Sequence, residues 1–581
     1  MKYINQTNLL LLLFILISSC SGQTKTDKID KLEELITRYA DYGQFNGSVL
    51  VAEKGAVIYK KGFGWANMES GSDNLPDTKF RLASVTKQFT AMLVVQLASE
   101  NKLKLDVPIS TYLPDYPKKT ADIVTIHHLL THTSGIPNYT DFPSIREVMQ
   151  KKYSPAELVK LFADSTLEFT PGEKYHYSNS GYILLGYIIE KITGKSYEEV
   201  LQNKIFTPLK MINSGYDNNA ELRNKAFGYN KTGNTLAPAN YIDMSVPFAA
   251  GGIYSTVEDL FLWDQALYTE KLLPKKYMDL LFTKHVSEGG PSFYGYGWQL
   301  GNMPIGSTNE NIAIIYHSGF INGFNTNIAR IPSDKSSIIL LNNTAGAPLD
   351  EMTVAIAAIL YGKPYDFPKK SIAYSLLDVI EKDGIDAALS YYREIKNSPT
   401  HYFNESEIND AGYLLLNTGK ANEAAVVFKL NTEEYPNSFN TFDSYADALV
   451  ALGDTTRAIE NYRKCLKLNP GHENSLKRLK EFGVNTDTLI KKVSIEELKL
   501  VEGQYLITNP PSDNDKDWKI EFKVVKGELT GNDRGYKYKL VPVGNNAFVN
   551  PDDGASLVFD TSDKNATTLV LFKKYKFKRV L

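Results

Sequence analysis

Ser84-Val85-Thr86-Lys87, Tyr177-Ser178-Asn179 and His317-Ser318-Gly319 occur in that order in a chain of 581 residues, and reading them together decides the fold. A serine and a lysine three apart on a helix share one face. A serine hydroxyl is a weak nucleophile until a neighbouring base takes its proton, and a lysine can be that base. The apolar run Phe89 to Leu97 predicts a helix continuing from the pair. Ser84 then falls at the helix start, where free N–H groups and the helix dipole favour developing negative charge. The spacing alone is weak, because Ser99 to Lys102 repeats it at the far end of the same predicted helix. That second pair reads as solvated helix-end polarity. Tyr177 supplies a phenol that can relay a proton, and Asn179 an amide that can hold a substrate carbonyl. His317 follows the apolar run Ile312 to Tyr316, which places it on or just after a strand. Gly319 would allow a ligand to approach the backbone closely.

Two longer phrases surround these residues. One is Leu129-Leu130-Thr131-His132-Thr133-Ser134-Gly135-Ile136-Pro137; the other runs from Pro171 to Tyr182 and contains Tyr177. With them, the three motifs resemble the serine β-lactamase and penicillin-binding-protein superfamily over about residues 30 to 365. The similarity is to the branch of class C β-lactamases, D-alanyl-D-alanine carboxypeptidases, D-aminopeptidases and related esterases. The resemblance implies an α/β/α sandwich around an antiparallel sheet. It implies Ser84 as the acylated nucleophile, with Lys87 and Tyr177 as the proton-transfer pair, and leaves open which of the two takes the first proton. It implies that Asn179, His317 and Gly319 bind substrate, with His317 facing the cleft from an edge strand to hold a carboxylate or relay a proton. The backbone N–H groups of Ser84 and Phe320 would form the oxyanion hole. Where class C β-lactamases usually carry lysine at the third motif, this chain carries His317. A neutral imidazole holds a carboxylate less strongly than an ammonium does.

Outward from this region, Leu32 to Tyr42 has helical spacing, and Gly47 to Ala52 with Ala56 to Tyr59 read as a hairpin. Tyr182 to Ile192 reads as a helix closed by Thr193-Gly194. Ser337 to Leu341 reads as a buried strand, followed by the helix Thr353 to Leu360. Residues 371–482 read as helical. Gly419, Ala424, Phe428 and Pro436 recur 34 residues later as Gly453, Ala458, Tyr462 and Pro470, a period that resembles the tetratricopeptide repeat. Asp383-Gly384 with Ala387, Ala388 and Tyr392 resembles an earlier copy. Such a stack either presents a face to a protein partner or serves as a spacer. Residues 496–581 alternate with period two in Lys519 to Val524 and partly in Lys573 to Val580. Gly527, Gly531, Gly535, Gly544 and Gly554 punctuate this stretch, which reads as a small all-β domain.

Residues 1–20 read as a lipoprotein-type signal peptide, with Leu9 to Ile17 as its apolar core and Ile17-Ser18-Ser19-Cys20 as a lipobox. Cys20 would be lipidated and residues 21–29 would be a polar linker, making the protein an exported envelope protein tethered to membrane. Hydrophobic residues are 43% and charged residues 23% of the chain, ordinary globular usage. The net charge of −3 offers no general footprint for nucleic acid. Cys20 and Cys465 are too far apart for a cysteine-based zinc module. His128 and His132 are four apart but lack the H-E-x-x-H pattern, so no metal or cofactor is expected. The resemblance implies a serine hydrolase acting through an acyl-enzyme on an amide or ester, such as a D-amino-acid peptide or a β-lactam. A broad-specificity esterase and a non-catalytic sensor of cell-wall fragments are the alternatives.

Overall fold

A computed structural model of the chain describes residues 25–232, 235–486, 493–511, 518–533, 536–544, 546–563, 567–572 and 574–580. Cys20, the signal peptide, Gly535 and Lys573 lie outside the described residues. The chain divides into two compact units, one ending at Pro368 and one beginning at Lys369. No helix among the described residues is long and apolar enough to cross a membrane.

The first unit is built on an eight-stranded antiparallel sheet. Helix α1 (Lys25–Asp41) precedes β1 (Gly47–Glu53) and β2 (Ala56–Phe63). Lys54 and Gly55, the residues joining these strands, both have positive φ (53° and 77°), as a two-residue turn matching the twist of its strands requires. Then come α2 (Thr86–Ser99), α3 (Asn179–Thr193) and α4 (Val257–Ala266). The remaining strands are β3 (Val286–Gly289), β4 (Ser292–Tyr294), β5 (Gln299–Pro304), β6 (Asn311–Ile321), β7 (Phe324–Ile331) and β8 (Ser336–Asn342), and α5 (Leu349–Tyr361) closes the unit. The sheet order is β3-β4-β5-β6-β7-β8-β1-β2.

Alternation along the central strands feeds two cores. Val49, Val51, Ile338 and Leu340 face a core shared with α1 and α5. Leu50, Ala52, Ile339 and Leu341 face the larger core that contains α2 and α3. A sheet covered on both faces reads in sequence as unbroken apolar runs, which is the pattern of Ser337 to Leu341. Helix α2 is buried on every side from Thr86 to Ala98, so it has no polar face to show. Phe89 stacks on Trp263 of α4 at 4.3 Å.

The region expected to be a leash is ordered earlier than the sequence suggests. From Lys25 onward it is helical. The Lys28 ammonium lies 2.6 Å from Glu53 Oε1 and donates to Leu360 O at 2.7 Å, which pins α1 to both β1 and α5.

In the second unit, helices Glu405–Asn417 and Ala421–Glu434 reappear 34 positions later as Phe439–Ala451 and Thr455–Leu468. Gly419 and Gly453 turn each pair at positive φ (81° and 77°). Ala424, Phe428, Ala458 and Tyr462 are buried between the helices. A closed eight-stranded barrel follows, running in sequence order from Gly503–Ile507 to Tyr575–Val580, the first strand pairing with the last. The stretch Ile495–Val501, expected to open the β part, is a helix. Ser494 accepts from the Glu497 N–H at 3.2 Å and the Glu497 carboxylate accepts from the Ser494 N–H at 2.7 Å, a capping box that overrides the weak alternation. The barrel meets the helices through Asn469 Nδ2, which donates to Pro551 O at 2.8 Å. Cys465 is free and buried, and burial raises its thiol to about 12, so it is not a nucleophile at neutral pH.

Arg330 of β7 pairs with Asp264 of α4 at 2.6 Å, both side chains being almost completely shielded from water. Its guanidinium lies over Tyr268, Phe282 and Trp298. Removing one member of such a pair strands the other charge, at a cost of about 3–5 kcal/mol, whereas replacing both can be near neutral. Arg330→Met is therefore expected to lower the urea midpoint followed by tryptophan fluorescence, and Arg330→Met with Asp264→Leu to recover most of the loss.

Candidate active site

The turn that carries Ser84 is held on three sides. Ser84 sits in a 3-10 turn, Ala83–Val85, that runs directly into α2. Leu82 N–H donates to Ile253 O at 2.8 Å, and Leu82 O accepts from Thr326 Oγ1 of β7 at 2.8 Å. Ala83 has φ of 50°, a left-handed conformation that costs an L-residue about 1–2 kcal/mol. The third side is β6. The ladder between β5 and β6 ends at Tyr316, whereas the ladder between β6 and β7 continues through Ile321. The strand is thus interior up to Tyr316, and among the described residues it becomes an edge from His317 onward. Gly319 on that edge meets the turn, where a Cβ would stand 2.2 Å from Leu82 O and 3.1 Å from Ala83 Cβ. The glycine is required by packing against the Ser84 turn, whatever it does for a ligand.

Lys87, in the first turn of α2, is fully buried. Its Nζ is 3.0 Å from Ser84 Oγ, 2.8 Å from Asn179 Oδ1 and 3.0 Å from Ala250 O. No carboxylate is among these partners. Burial pushes the amine well below the ordinary lysine range. A neutral amine has two N–H donors and one lone pair. The two carbonyl oxygens can only accept, so they take two N–H groups; once the amine is neutral, its lone pair is left for the Ser84 hydroxyl. This is the arrangement in which lysine accepts a serine proton.

The Tyr177–Asn179 segment is fixed by the phrase Leu129–Pro137. Gly172 N–H donates to Thr133 O and His176 N–H to His132 O, each at 2.8 Å. Ser180 Oγ donates to Pro137 O at 2.7 Å, and Asn179 N–H to Asn138 Oδ1 at 3.0 Å. His132, at φ of 58°, accepts from Ser178 N–H through Nδ1 at 3.1 Å, and its ring lies 4.3 Å from that of Tyr177. The proton must then be on Nε2, which is buried without a hydrogen-bond partner. Burial pushes this imidazole well below the ordinary histidine range. His128 accepts from Thr125 N–H through Nδ1 at 3.2 Å, closing a capping box. The His128–His132 spacing thus serves a cap and a loop clasp.

The Tyr177 phenol hydrogen-bonds to Ser84; burial raises its pKa, Glu288 adds to the rise and the bond to Ser84 opposes it. The Lys87 amine lies 4.8 Å from the Tyr177 ring centre. Asn179 spends its carbonyl oxygen on Lys87 and directs Nδ2 toward Thr140 Oγ1 at 3.3 Å. His317 is buried. Its Nδ1–H donates to Ser318 O at 2.6 Å, and its Nε2 accepts from the Tyr294 hydroxyl at 3.0 Å. Burial lowers the ring to about 3. Both ring nitrogens of His317 thus have protein partners in this structure. Phe320 lies on the open edge of β6 with its side chain exposed. The Ser99–Lys102 pair is separate: Ser99 Oγ donates to Gln96 O at 2.8 Å and Lys102 pairs with Glu100.

Three residues beside the motifs also belong to the site. Tyr294 holds His317, Tyr175 lies 5.9 Å from Tyr294 ring to ring, and Glu288 accepts from the Tyr175 hydroxyl at 2.8 Å. Tyr175 stands inside the phrase Pro171–Tyr182 and was open to notice. Glu288 and Tyr294 carry no local mark, because only the pairing of β3 with β4 brings them here.

An antiparallel sheet and helices enclosing a serine, a buried lysine and a phenol have the architecture of a serine hydrolase. Residues 32–361 match the family model described as Beta-lactamase. Penicillin-binding protein 4* of Bacillus subtilis is 32% identical over 364 residues, covering 60% of this chain and 79% of that protein. The chain belongs to the Beta-lactamase family, with its penicillin-binding-protein-like serine hydrolases. The octameric penicillin-binding protein homologue from Pyrococcus abyssi is similar with a TM-score of 0.51 at 23% identity, over 95% of this chain and 99% of that one, a likeness of fold alone. D-amino acid amidase from Ochrobactrum anthropi, complexed with L-phenylalanine amide, has a TM-score of 0.50 at 25% identity, over 57% and 99%.

Because a Cβ at position 319 would overlap Leu82 O, Gly319→Ala is expected to cost about 1–3 kcal/mol and to displace the Ser84 turn. A fall in both melting temperature and fluorophosphonate labelling, larger than for Gly301→Ala, where a Cβ meets open space, would bear this out.

Proposed function

We propose that the protein is an exported serine hydrolase that works through a Ser84 acyl-enzyme on an amide or ester. The observation that carries the reading is the Lys87 amine, buried against two carbonyl oxygens and Ser84 Oγ. Lys87 takes the Ser84 proton as Oγ attacks the substrate carbonyl. The 3.0 Å contact of Lys87 Nζ with Ser84 Oγ supports this choice over Tyr177, as does burial, which lowers the amine's pKa and raises the phenol's. The N–H groups of Ser84 and Phe320 hold the oxyanion. Tyr177, hydrogen-bonded to Ser84, passes a proton to the leaving group, and Asn179 fixes Lys87 while its Nδ2 side meets the acyl chain. Water then releases the acyl group.

The family neighbours that act on D-amino acid amides support a D-amino-acid amide or peptide as substrate, with a simple ester or a β-lactam as alternatives. The 34-residue period supports a tetratricopeptide-like stack that engages a protein partner. The apolar run before Cys20 supports a lipid anchor, so an alkyne palmitate fed to cells is expected to label the wild-type chain and not Cys20→Ala.

Mass spectrometry after fluorophosphonate treatment is expected to find the adduct on Ser84, and an adduct that survives in Ser84→Ala would overturn the reading. Lys87→Met is expected to slow acylation by about 10²–10⁴. The base must be unprotonated, so kcat/KM should rise with pH through a midpoint well below the lysine range. The phenol must keep its proton, so the plateau should persist through the ordinary tyrosine range. A rise only at alkaline pH would assign the base to Tyr177.

A further inference from the structure

Glu288 is the charge on the cleft's outer side. It lies on β3, half-buried, and accepts from the Tyr175 hydroxyl at 2.8 Å, from Ser292 Oγ at 2.5 Å and from Gln299 Nε2 at 3.1 Å. Tyr175 is two residues from Tyr177 and packs against Tyr294 and His132, so these bonds tie the carboxylate to the aromatic cluster that includes Tyr177. Three neutral donors orient it and none neutralises it, and among the described residues no cation pairs with it. The Lys284 ammonium lies over the Phe293 ring, but strand alternation turns Phe293 away from the face shared by Ser292 and Tyr294.

The other groups of the cleft leave this charge unopposed. Lys87 directs its Nζ to Ser84 Oγ, Asn179 Oδ1 and Ala250 O. His317, where a cation would counter a substrate's carboxylate, is a neutral ring with both nitrogens occupied. A fixed carboxylate in a partly desolvated wall attracts a cation and repels an anion far more strongly than it would in water.

We propose that Glu288 forms a subsite for a primary ammonium of the substrate. The site thereby selects amides and esters that carry a free amine near the scissile bond over those that end in a carboxylate. The inference rests on the hydrolase reading for the identity of the pocket, but it concerns binding and can be tested without turnover.

The test uses the full-length Ser84→Ala protein and calorimetric titration with three probes that are cationic, neutral and anionic in turn: D-phenylalanine amide, N-acetyl-D-phenylalanine amide and N-acetyl-D-phenylalanine. The cationic probe is expected to bind about tenfold or more tighter than the neutral one, and the anionic probe weakest, with the spread shrinking as salt is raised. Glu288→Gln keeps an acceptor for Tyr175 and should collapse the cation-to-neutral ratio toward one. Equal affinities in the Ser84→Ala protein, tightest binding of the anion, or a Glu288→Gln variant that weakens all three probes alike would each overturn the proposal. Loss of Ser84-dependent labelling would overturn the hydrolase reading and leave the charge ranking standing as a separate result.

Discussion

The burial of one amine organises this site. Lys87 stands in the core of the first unit, and its position is tolerable only because Asn179 Oδ1 and Ala250 O accept from it. A buried ammonium without a carboxylate costs far more than a buried amine, so burial lowers the pKa of this group well below the ordinary lysine range. Everything around the nucleophile follows from meeting those two carbonyls. Asn179 must be the first residue of α3, held there by the Leu129–Pro137 loop. Ala250 must present its oxygen from a short helix packed beneath α2. Ser84 must then occupy the third direction, which requires the strained Ala83 turn and the bare Gly319 edge beside it. Conformational strain at such a point is tolerated because the surrounding structure determines it from several sides.

Much of this was legible in the sequence. The hairpin, α2, α3, β8 and α5 announced themselves by apolar period and by turn residues such as Lys54-Gly55 and Gly194. The 34-residue offset gave the helix pairs of the second unit. The Ser84, Lys87 and Tyr177 constellation was visible as an ordered set of motifs. What could not be read has two physical causes. Long-range pairing brings Glu288 and Tyr294 to the site, and no local pattern encodes it. Hydrogen-bond direction decides what a motif residue can do: His317 was placed correctly on its strand, but its two nitrogens are consumed by Tyr294 and Ser318, which only coordinates reveal. The same limit applied at Ile495–Val501, where a capping box outweighed a weak alternation.

The two phrases that seemed separate in sequence are one device. The Leu129–Pro137 and Pro171–Tyr182 loops are joined by backbone hydrogen bonds and by the His132–Ser178 clasp. The positive φ of His132 and Gly135 is needed for the loops to approach, and at Gly135 a Cβ would stand 2.3 Å from Phe169 O. The result is a rigid support for the Tyr177 phenol, which a proton-transfer group needs if it is to stay in register with the nucleophile.

The exchange of lysine for histidine at the third motif also acquires a physical meaning here. A lysine at position 317 would place a second amine close to Lys87, and one of the two would have to remain neutral or find an anion. With a neutral imidazole there, Lys87 has no competing cation, and the ring joins Tyr294, Tyr175 and His132 in an aromatic wall. That wall leaves the cleft's charge to Glu288 rather than to the third motif. A pocket of this polarity favours a substrate with a positive end, the reverse of what a lysine at position 317 would favour. The same substitution that weakens a carboxylate-binding role therefore frees the site for a different substrate charge without altering the Ser84–Lys87–Tyr177 chemistry.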